Sequence, residues 1–527
     1  MGVYKLLTDH LVDAVKMDPN KIAVIDRFGK YTYAELEFKA RRLAFGLMQR
    51  GVGKGDPVVV QLPNWHHFTI VRLALTYLGA VIVPVTTAYR RSDISYVLKF
   101  TRSKYLVIPG YFRNFDYVEM IKGIRHELPD LSNILVINGT IAEDMELYDN
   151  FMQQPWEDIN SNIDLDKMRP GYEDITEILF TSGTTGRPKG VMRRSNILEE
   201  INSSLTQFYS LSSSDVIFMP TPITHASGLW HGVRLPIFLG ATTVLQDIWN
   251  PGEALKLCED NMCTLTIMPP AMLQDLIYSP KLDNYGRLSS MRYMIMSGAI
   301  EKVLTDAYEI LPNCNISSCY GGTDFGFVSG CMNDDPLQKR FTTDGRLLPG
   351  VEAKIIRDDG SNADAGEEGE ILLKGLNCAG YYKQPDLNDQ VFTSDGFFHT
   401  GDVGRIDDKG FIKLTGRLKD IIRRGGINIA PLEVEQILLN HPGIANVAVV
   451  GIPDARLDER ACACIIPEKG HTVTLQVVID WMNQAGVTKQ KWPESVEIFD
   501  YFPLSVFGRV QKFEVRKILL ERLHLQS

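Results

Sequence analysis

Short apolar runs alternate with helix-patterned segments over the first part of this chain, and that alternation restricts the fold more than any other feature. The runs at 58–60, 81–85, 106–108 and 134–137 have the length and the Val/Ile content of buried strands. Between them lie helices. Thr32 and Glu35 form a capping box, and Leu36, Ala40, Leu43, Ala44 and Leu47 follow at helical spacing until Gly51. Asn64 opens a second helix that runs to Leu78 and closes at Gly79. Strand and helix in alternation predict a mostly parallel sheet covered by helices. The glycines at 51, 53 and 55 precede a strand instead of joining strand to helix, so they read as a turn and not as a dinucleotide loop.

The same logic continues at 216–222, 242–245, 264–268 and 292–296. Three of these strands end in small or polar turns: His225-Ala-Ser-Gly228, Pro269-Pro270 and Ser297-Gly298-Ala299. Parallel strands that end together share a crevice at their carboxyl edge. From about Phe341 to Gly416 the pattern becomes short apolar alternations punctuated by Gly and Asp, which is antiparallel β material. A terminal unit of mixed helices and strands follows, with a helix over 431–439 and strands at 447–450 and 462–466. With 527 residues, the chain holds three or four core units at roughly 150 residues each.

Apolar residues make up 44% and charged residues 23%, as in a soluble globular protein. The net charge of −10 argues against nucleic acid or an anionic membrane as the main partner. The eight cysteines form no CxxC pair; Cys462 and Cys464 would share one strand face as buried thiols. The expectation is a cytoplasmic protein without a disulfide framework. No secretory leader, myristoylation signal or peroxisomal address is read in the sequence, and the most apolar stretch, 73–85, is too short for a membrane span.

The chemistry concentrates at Thr181-Ser182-Gly183-Thr184-Thr185-Gly186-Arg187-Pro188-Lys189-Gly190, directly after the strand run Ile178-Leu179-Phe180. Glycines let the backbone approach a ligand closely, and successive N–H groups in such a turn make an anion-binding concavity. Hydroxyls add neutral donors, and Lys189 adds a mobile charge. The ligand this suits is a polyphosphate. The spacing is not that of the P-loop, which needs Gly, four residues, then Gly-Lys-Ser/Thr.

The decapeptide resembles the phosphate-binding signature of the adenylate-forming enzymes, which include acyl-CoA synthetases, peptide-synthetase adenylation domains and firefly-type luciferases. Further elements fit in order over about residues 20–515. Tyr320-Gly321-Gly-Thr323-Asp324 is similar to the family's Tyr-Gly-x-Thr-Glu element. The resemblance implies that Tyr320 packs on adenine, Thr323 touches phosphate and Asp324 holds Mg²⁺, with Asp standing where the family has Glu. Thr400-Gly401-Asp402 resembles the element whose Asp accepts the ribose hydroxyls. Arg417 falls where the family contacts ribose or phosphate, and Lys419 falls on its hinge. Gly298 and Ala299 complete the implied nucleotide site. Arg424-Gly425-Gly426 matches the segment beside the thiol tunnel of acyl-CoA synthetases. His225 matches the acyl-pocket histidine, and Trp230, Met296, Ser297, Gly298 and Phe325 are implied to line the same pocket. Ser195 stands where a histidine often follows the phosphate loop. Near the C-terminus, Pro503-Leu-Ser-Val-Phe-Gly508-Arg509-Val-Gln-Lys512 puts Arg509 on the family's adenylation lysine.

The resemblance thus implies an α/β protein. A large N-terminal domain at 1–416 has two α/β sheet subdomains and a β-rich barrel-like part. A hinge at 417–420 joins it to a small mobile α+β domain at 421–527. Catalytic roles fall on Arg509, Lys189, Thr323 and His225. ATP and Mg²⁺ would activate a small carboxylic acid as an acyl-adenylate, and coenzyme A would take the acyl group. The flanking text most resembles ligases for short or alicyclic acids. Two alternatives stand beside this reading: an amide ligase whose acceptor is an amine such as an amino acid, and an adenylate-binding homologue with an impaired first step. The expected assembly is a monomer or homodimer.

Overall fold

The computed structural model describes residues 5–181, 188–298, 301–425, 427–504 and 510–523. Two large sheets form its body. In the first, the strands run in the order Lys189–Arg194, Ile175–Thr181, Val81–Pro84, Pro57–Val60, Tyr105–Pro109, Asn133–Ile137, Glu146–Leu147. All neighbours are parallel except the first pair, which is an antiparallel hairpin. The second sheet has a parallel centre built from Asn315–Gly322, Tyr293–Ser297, Leu265–Ile267, Val216–Met219, Thr242–Leu245 and Ile22–Asp26. The alternation in the sequence is therefore realised as two helix-covered sheets.

The capping box forms as expected. Thr32 Oγ1 accepts the Glu35 amide hydrogen at 3.2 Å, and the Glu35 carboxylate accepts that of Thr32 at 2.8 Å. Asn64 does something else. The helix starts two residues later, as His66–Tyr77, and Asn64 is buried ahead of it. Its amide donates to the carbonyls of Met219, Thr221 and Gln246 at 2.9–3.2 Å, and its oxygen accepts the Ile223 amide hydrogen at 2.9 Å. One side chain thereby satisfies backbone groups at two strand ends of the other sheet, where water is excluded. The segment after His225 is not one regular α-helix. Its middle, Trp230–Arg234, is a π-helical turn between Ala226–Leu229 and Leu235–Leu239. Trp230 and Arg234 from that turn both reach the buried Glu177, at 3.1 and 3.4 Å, and Arg72 reaches it at 3.0 Å. Arg234 also donates to Glu199 at 2.7 Å. A buried carboxylate is tolerable only with such partners.

A four-stranded antiparallel sheet follows: Glu352–Ile356, Gly369–Lys374, Phe398–Ile406, Ile412–Arg417. Isolated bridges tie this region to the other sheets, Val191 to Tyr381 and Arg346 to Phe411. The last sheet opens at Ile422 and is built around the long hairpin Ile444–Asp454 and Asp458–Pro467, with Ser495–Ile498 added in parallel. Cys462 and Cys464 lie buried on that hairpin, and the same apolar cluster takes in Phe499, Val515 and Leu519. Among the described residues, no helix is long and apolar enough to cross a membrane.

Candidate active site

The candidate phosphate-loop segment is flanked by two antiparallel strands, Ile175–Thr181 and Lys189–Arg194. Thr181 and Lys189 are register partners at its base, which holds its two ends side by side. Residues 182–187, among them Ser182, Gly183, Thr184, Thr185 and Gly186, lie outside the described residues. The far end is pinned from the helix Arg91–Thr101, where the Tyr96 hydroxyl donates to the Pro188 carbonyl at 3.2 Å. The Tyr96 ring stacks on Phe100 and meets the edge of Phe180, so it touches the residue before the loop as well.

Tyr320 sits near the end of Asn315–Gly322 with its ring against Phe325, 5.2 Å between centroids. Its hydroxyl donates to Asp402 Oδ2 at 2.8 Å. Burial first, and the adjacent carboxylate second, push the phenol well above its ordinary pKa, so it stays a donor. The other oxygen, Oδ1, faces Arg417 Nε at 3.1 Å, because Asp402 and Arg417 are register partners on adjacent strands. Asp402 is buried and fixed from both sides. A carboxylate has about four acceptor positions, the acceptor type that suits a diol. Gly401 beside it has φ +67°, with nothing within 4 Å of where a Cβ would be, and Gly298 has φ +74° and the same open space. Both take the left-handed conformation that glycine adopts without strain.

Thr323 and Asp324 sit half-buried in the turn that links Asn315–Gly322 to Gly326–Gly330. A Cβ on Gly321 would come within 2.9 Å of the Gly326 carbonyl oxygen, so this hairpin needs glycine. Asp324 is held twice: its carbonyl accepts the Cys378 amide hydrogen at 2.7 Å, and Oδ1 accepts the Tyr381 hydroxyl at 2.7 Å. The Lys189 ammonium lies 5.1 Å from the centre of the same Tyr381 ring. Among the described residues, no group of three or more His, Cys, Asp or Glu gathers as a metal cage. A single carboxylate beside a polyphosphate site is the donor set Mg²⁺ uses when phosphate oxygens and water supply the rest.

The acyl-side candidates divide. His225 is half-buried and caps Ala226–Leu229, its Nδ1 accepting the Ser227 amide hydrogen at 3.4 Å. Gly228 is required there, since a Cβ would sit 2.2 Å from the Pro222 carbonyl oxygen. Ser297 and Gly298 are exposed at the strand end, and Phe325 is buried between Tyr320 and Phe398. Met296 packs into the core with Met294, Val303 and Leu304. The Trp230 ring carries the Arg193 guanidinium at 4.6 Å and gives its N–H to Glu177, inside the buried ionic cluster. Ala299 and Arg509 lie outside the described residues. Lys419 is exposed in the short turn Leu418–Asp420.

Tyr381, Tyr96 and Glu177 were not singled out from the sequence. Their partners are 57, 92 and 53 positions away, so no local pattern marks them.

A family model described as "AMP-binding enzyme" matches residues 11–382, and one described as "AMP-binding enzyme C-terminal domain" matches 433–508. This chain belongs to the AMP-binding enzyme family. It is 34% identical over 522 residues to the medium-chain fatty-acid–CoA ligase of Escherichia coli (strain K12), covering 98% of this chain and 91% of that one. It is 31% identical over 525 residues to the 2,3-dihydroxybenzoate-AMP ligase of Bacillus subtilis (strain 168), covering 98% and 94%. The crystal structure of ATP-bound MatB from Rhodopseudomonas palustris matches with a TM-score of 0.83 at 27% identity, over 98% of this chain and 99% of that one. The two matched segments of this AMP-binding enzyme take in the hairpin and the Tyr320 turn in the first, and most of the C-terminal sheet in the second.

Proposed function

We propose that this AMP-binding enzyme is an ATP-dependent acid–thiol ligase that activates a carboxylic acid as its acyl-adenylate and passes the acyl group to coenzyme A. The observation that supports this reading is the pair of carboxylates fixed by tyrosines, Asp402 by Tyr320 and Asp324 by Tyr381, with the Lys189 ammonium 5.1 Å from the Tyr381 ring.

Asp402 and Arg417 hold the ribose, and Tyr320 bounds the adenine. The loop from Thr181 to Lys189 receives the phosphates through backbone N–H groups and hydroxyls. A carboxylate oxygen of the acid attacks the α-phosphorus, and the bond to pyrophosphate breaks. Little covalent work falls to the protein; it positions the reactants and offers donors where negative charge grows. Lys189 and Thr323 serve that role from the large domain, and Arg509 from the C-terminal domain. Asp324 would hold Mg²⁺, which would supply charge neutralisation at the phosphates when bound. In the second step the small domain turns about Lys419, and the thiol of coenzyme A attacks the mixed anhydride and releases AMP.

The acid has an apolar body. His225, Ser297 and Phe325 border its site, and the relatives named above include a medium-chain fatty-acid ligase. The test is pyrophosphate release over straight-chain, alicyclic and aromatic acids, with product analysis in the presence of coenzyme A or of amines. Thioester formed with an acid of medium length supports the proposal. Amide as the main product makes the enzyme an amide ligase. An absence of pyrophosphate with every acid, together with transfer from supplied acyl-adenylate, leaves only the second half-reaction.

A further inference from the structure

One residue touches both charged groups assigned to the triphosphate side, and neither sequence pattern nor family motif singled it out. Tyr381 gives its hydroxyl to Asp324 Oδ1 at 2.7 Å and presents its ring face to the Lys189 ammonium at 5.1 Å. From this juxtaposition we infer that Tyr381 is a positioning residue for the first half-reaction, one that sets the metal carboxylate and the phosphate lysine in a fixed relation. The inference rests on the reading of Asp324 as the metal ligand.

The tyrosine is suited to that task because it is itself immobile. Its backbone N–H donates to Asn388 Oδ1 at 2.6 Å, and Asn388 Nδ2 donates back to its carbonyl at 3.3 Å. Its strand position is bridged to Val191, two residues beyond Lys189 on the same strand. The residue is 6% exposed and belongs to the buried apolar cluster of Val191, Tyr320, Phe325 and Phe398. Three residues earlier, the Cys378 N–H takes the Asp324 carbonyl, and the Arg193 guanidinium takes the Leu376 carbonyl at 2.8 Å. The segment around 376–382 thus acts as a splint. It touches the hairpin that carries Lys189 and the turn that carries Asp324, which are otherwise on different sheets.

The chemistry follows from the donor. A buried tyrosine hydroxyl is neutral, so it orients a carboxylate without cancelling its charge. With Oδ1 engaged, Oδ2 is the oxygen left to face a cation. An aspartate without that bond would rotate freely about two torsions, and each rotamer lost on metal binding costs free energy. Partners that orient a ligand typically contribute tenfold or more to metal affinity. The ring contact is separable. A cation over a tyrosine face is held by the ring and not by the hydroxyl.

The test uses the full chain. Mn²⁺ is titrated by electron paramagnetic resonance in the presence of a non-hydrolysable ATP analogue, and the Mg²⁺ dependence of pyrophosphate release is measured in parallel. Tyr381→Phe keeps the ring and should weaken Mn²⁺ binding about tenfold. It should raise the Mg²⁺ requirement equally and leave the KM of the acid unchanged. Tyr381→Leu also removes the ring and should further raise the KM for ATP at saturating Mg²⁺. Transfer from supplied acyl-adenylate to coenzyme A reports whether each variant is folded and should stay near wild type. Asp324→Asn separates the two layers of the argument. If Asp324→Asn weakens Mn²⁺ while Tyr381→Phe does not, the tyrosine does not position the ligand and the inference is overturned. If Asp324→Asn leaves Mn²⁺ binding unchanged, Asp324 is not the ligand and the inference falls with that reading. If Tyr381→Phe lowers both half-reactions alike with unaltered metal dependence, the hydroxyl is a fold contact only.

Discussion

Lys512 places its ammonium 2.8 Å from Glu435 Oε1, and the same oxygen accepts the Val449 amide hydrogen at 2.6 Å. Glu435 is 6% exposed, and its burial pushes its pKa up against the pull of Lys512. This pair fastens the start of the helix Lys512–Arg522 onto the helix Pro431–Leu438. Lys512 is therefore engaged in the interior of the C-terminal domain, which strengthens the assignment of the adenylation cation to Arg509.

Two alanine variants should behave oppositely. Lys512→Ala leaves Glu435 buried without its counter-charge and should destabilise the domain by about 3–5 kcal/mol. The fraction that stays folded should adenylate normally. Arg509→Ala should leave thermal stability unchanged and lower pyrophosphate release by roughly two to three orders of magnitude, the cost of removing one donor to developing charge. Transfer from supplied acyl-adenylate should be nearly untouched. Adenylation that survives Arg509→Ala and dies in Lys512→Ala would reverse the assignment. Unfolding curves together with single-turnover kinetics give both numbers.

Asp402 is poised by Tyr320 and Arg417, and it should matter for the nucleotide alone. Asp402→Asn halves the acceptor capacity and removes the charge facing Arg417. Hydrogen bonds to charged groups contribute about 1.5–3 kcal/mol. The KM for ATP should therefore rise roughly ten- to a hundredfold, with the KM for coenzyme A in the transfer step unchanged. A variant whose KM for ATP matches wild type would remove Asp402 from the ribose site.

Lys419 lies in a turn where the Ile421 amide hydrogen goes to the carbonyl of Arg417 at 3.1 Å. A hinge must change φ or ψ between two states. Lys419→Pro locks φ and removes a backbone donor. It should spoil one half-reaction and spare the other. Equal loss of both in a folded protein would argue against a hinge at this position.

The fold was legible because strand and helix periodicities are local. The runs at 58–60 and 81–85 needed only their own residues to be strands, and Thr32 with Glu35 needed only each other. Family membership was legible in the motif after Phe180, whose residues carry their chemistry in one short run. It was not legible where contacts join distant segments. Asn64 looked like a helix start because Asn favours that position. Its amide instead reached carbonyls more than 150 positions away, a tertiary demand that overrode the local preference. The bond from Trp230 to Glu177 was not legible either, since it comes from a π-helical turn, and a π-turn leaves no periodic signature in five residues.

Two buried histidines should give this protein an acid limb of instability that has nothing to do with catalysis. His231 is 2% exposed, lies edge-on to Phe327 and has no hydrogen-bond partner for Nδ1 among the described residues. Burial pushes its pKa down to about 3. His67 is pushed down to about 2, by burial first and then by His66 and Lys39. In the unfolded chain both titrate near pH ~6.5. Below that pH the unfolded state binds protons that the folded state refuses, so stability is full above about pH 6.5 and falls as pH drops toward the folded values. Each such group costs about 1.4 kcal/mol per pH unit in that window, or about 2 kcal/mol at pH 5. His231→Asn would forfeit some packing against Phe327, which lowers stability equally at every pH. It should also flatten the pH dependence between 6.5 and 4, since one of the two protons no longer binds on unfolding. Urea unfolding at half-unit pH intervals separates the constant offset from the slope. A slope in His231→Asn identical to that of the wild type would show that His231 accepts its proton in the folded protein, and the buried-neutral assignment would be wrong.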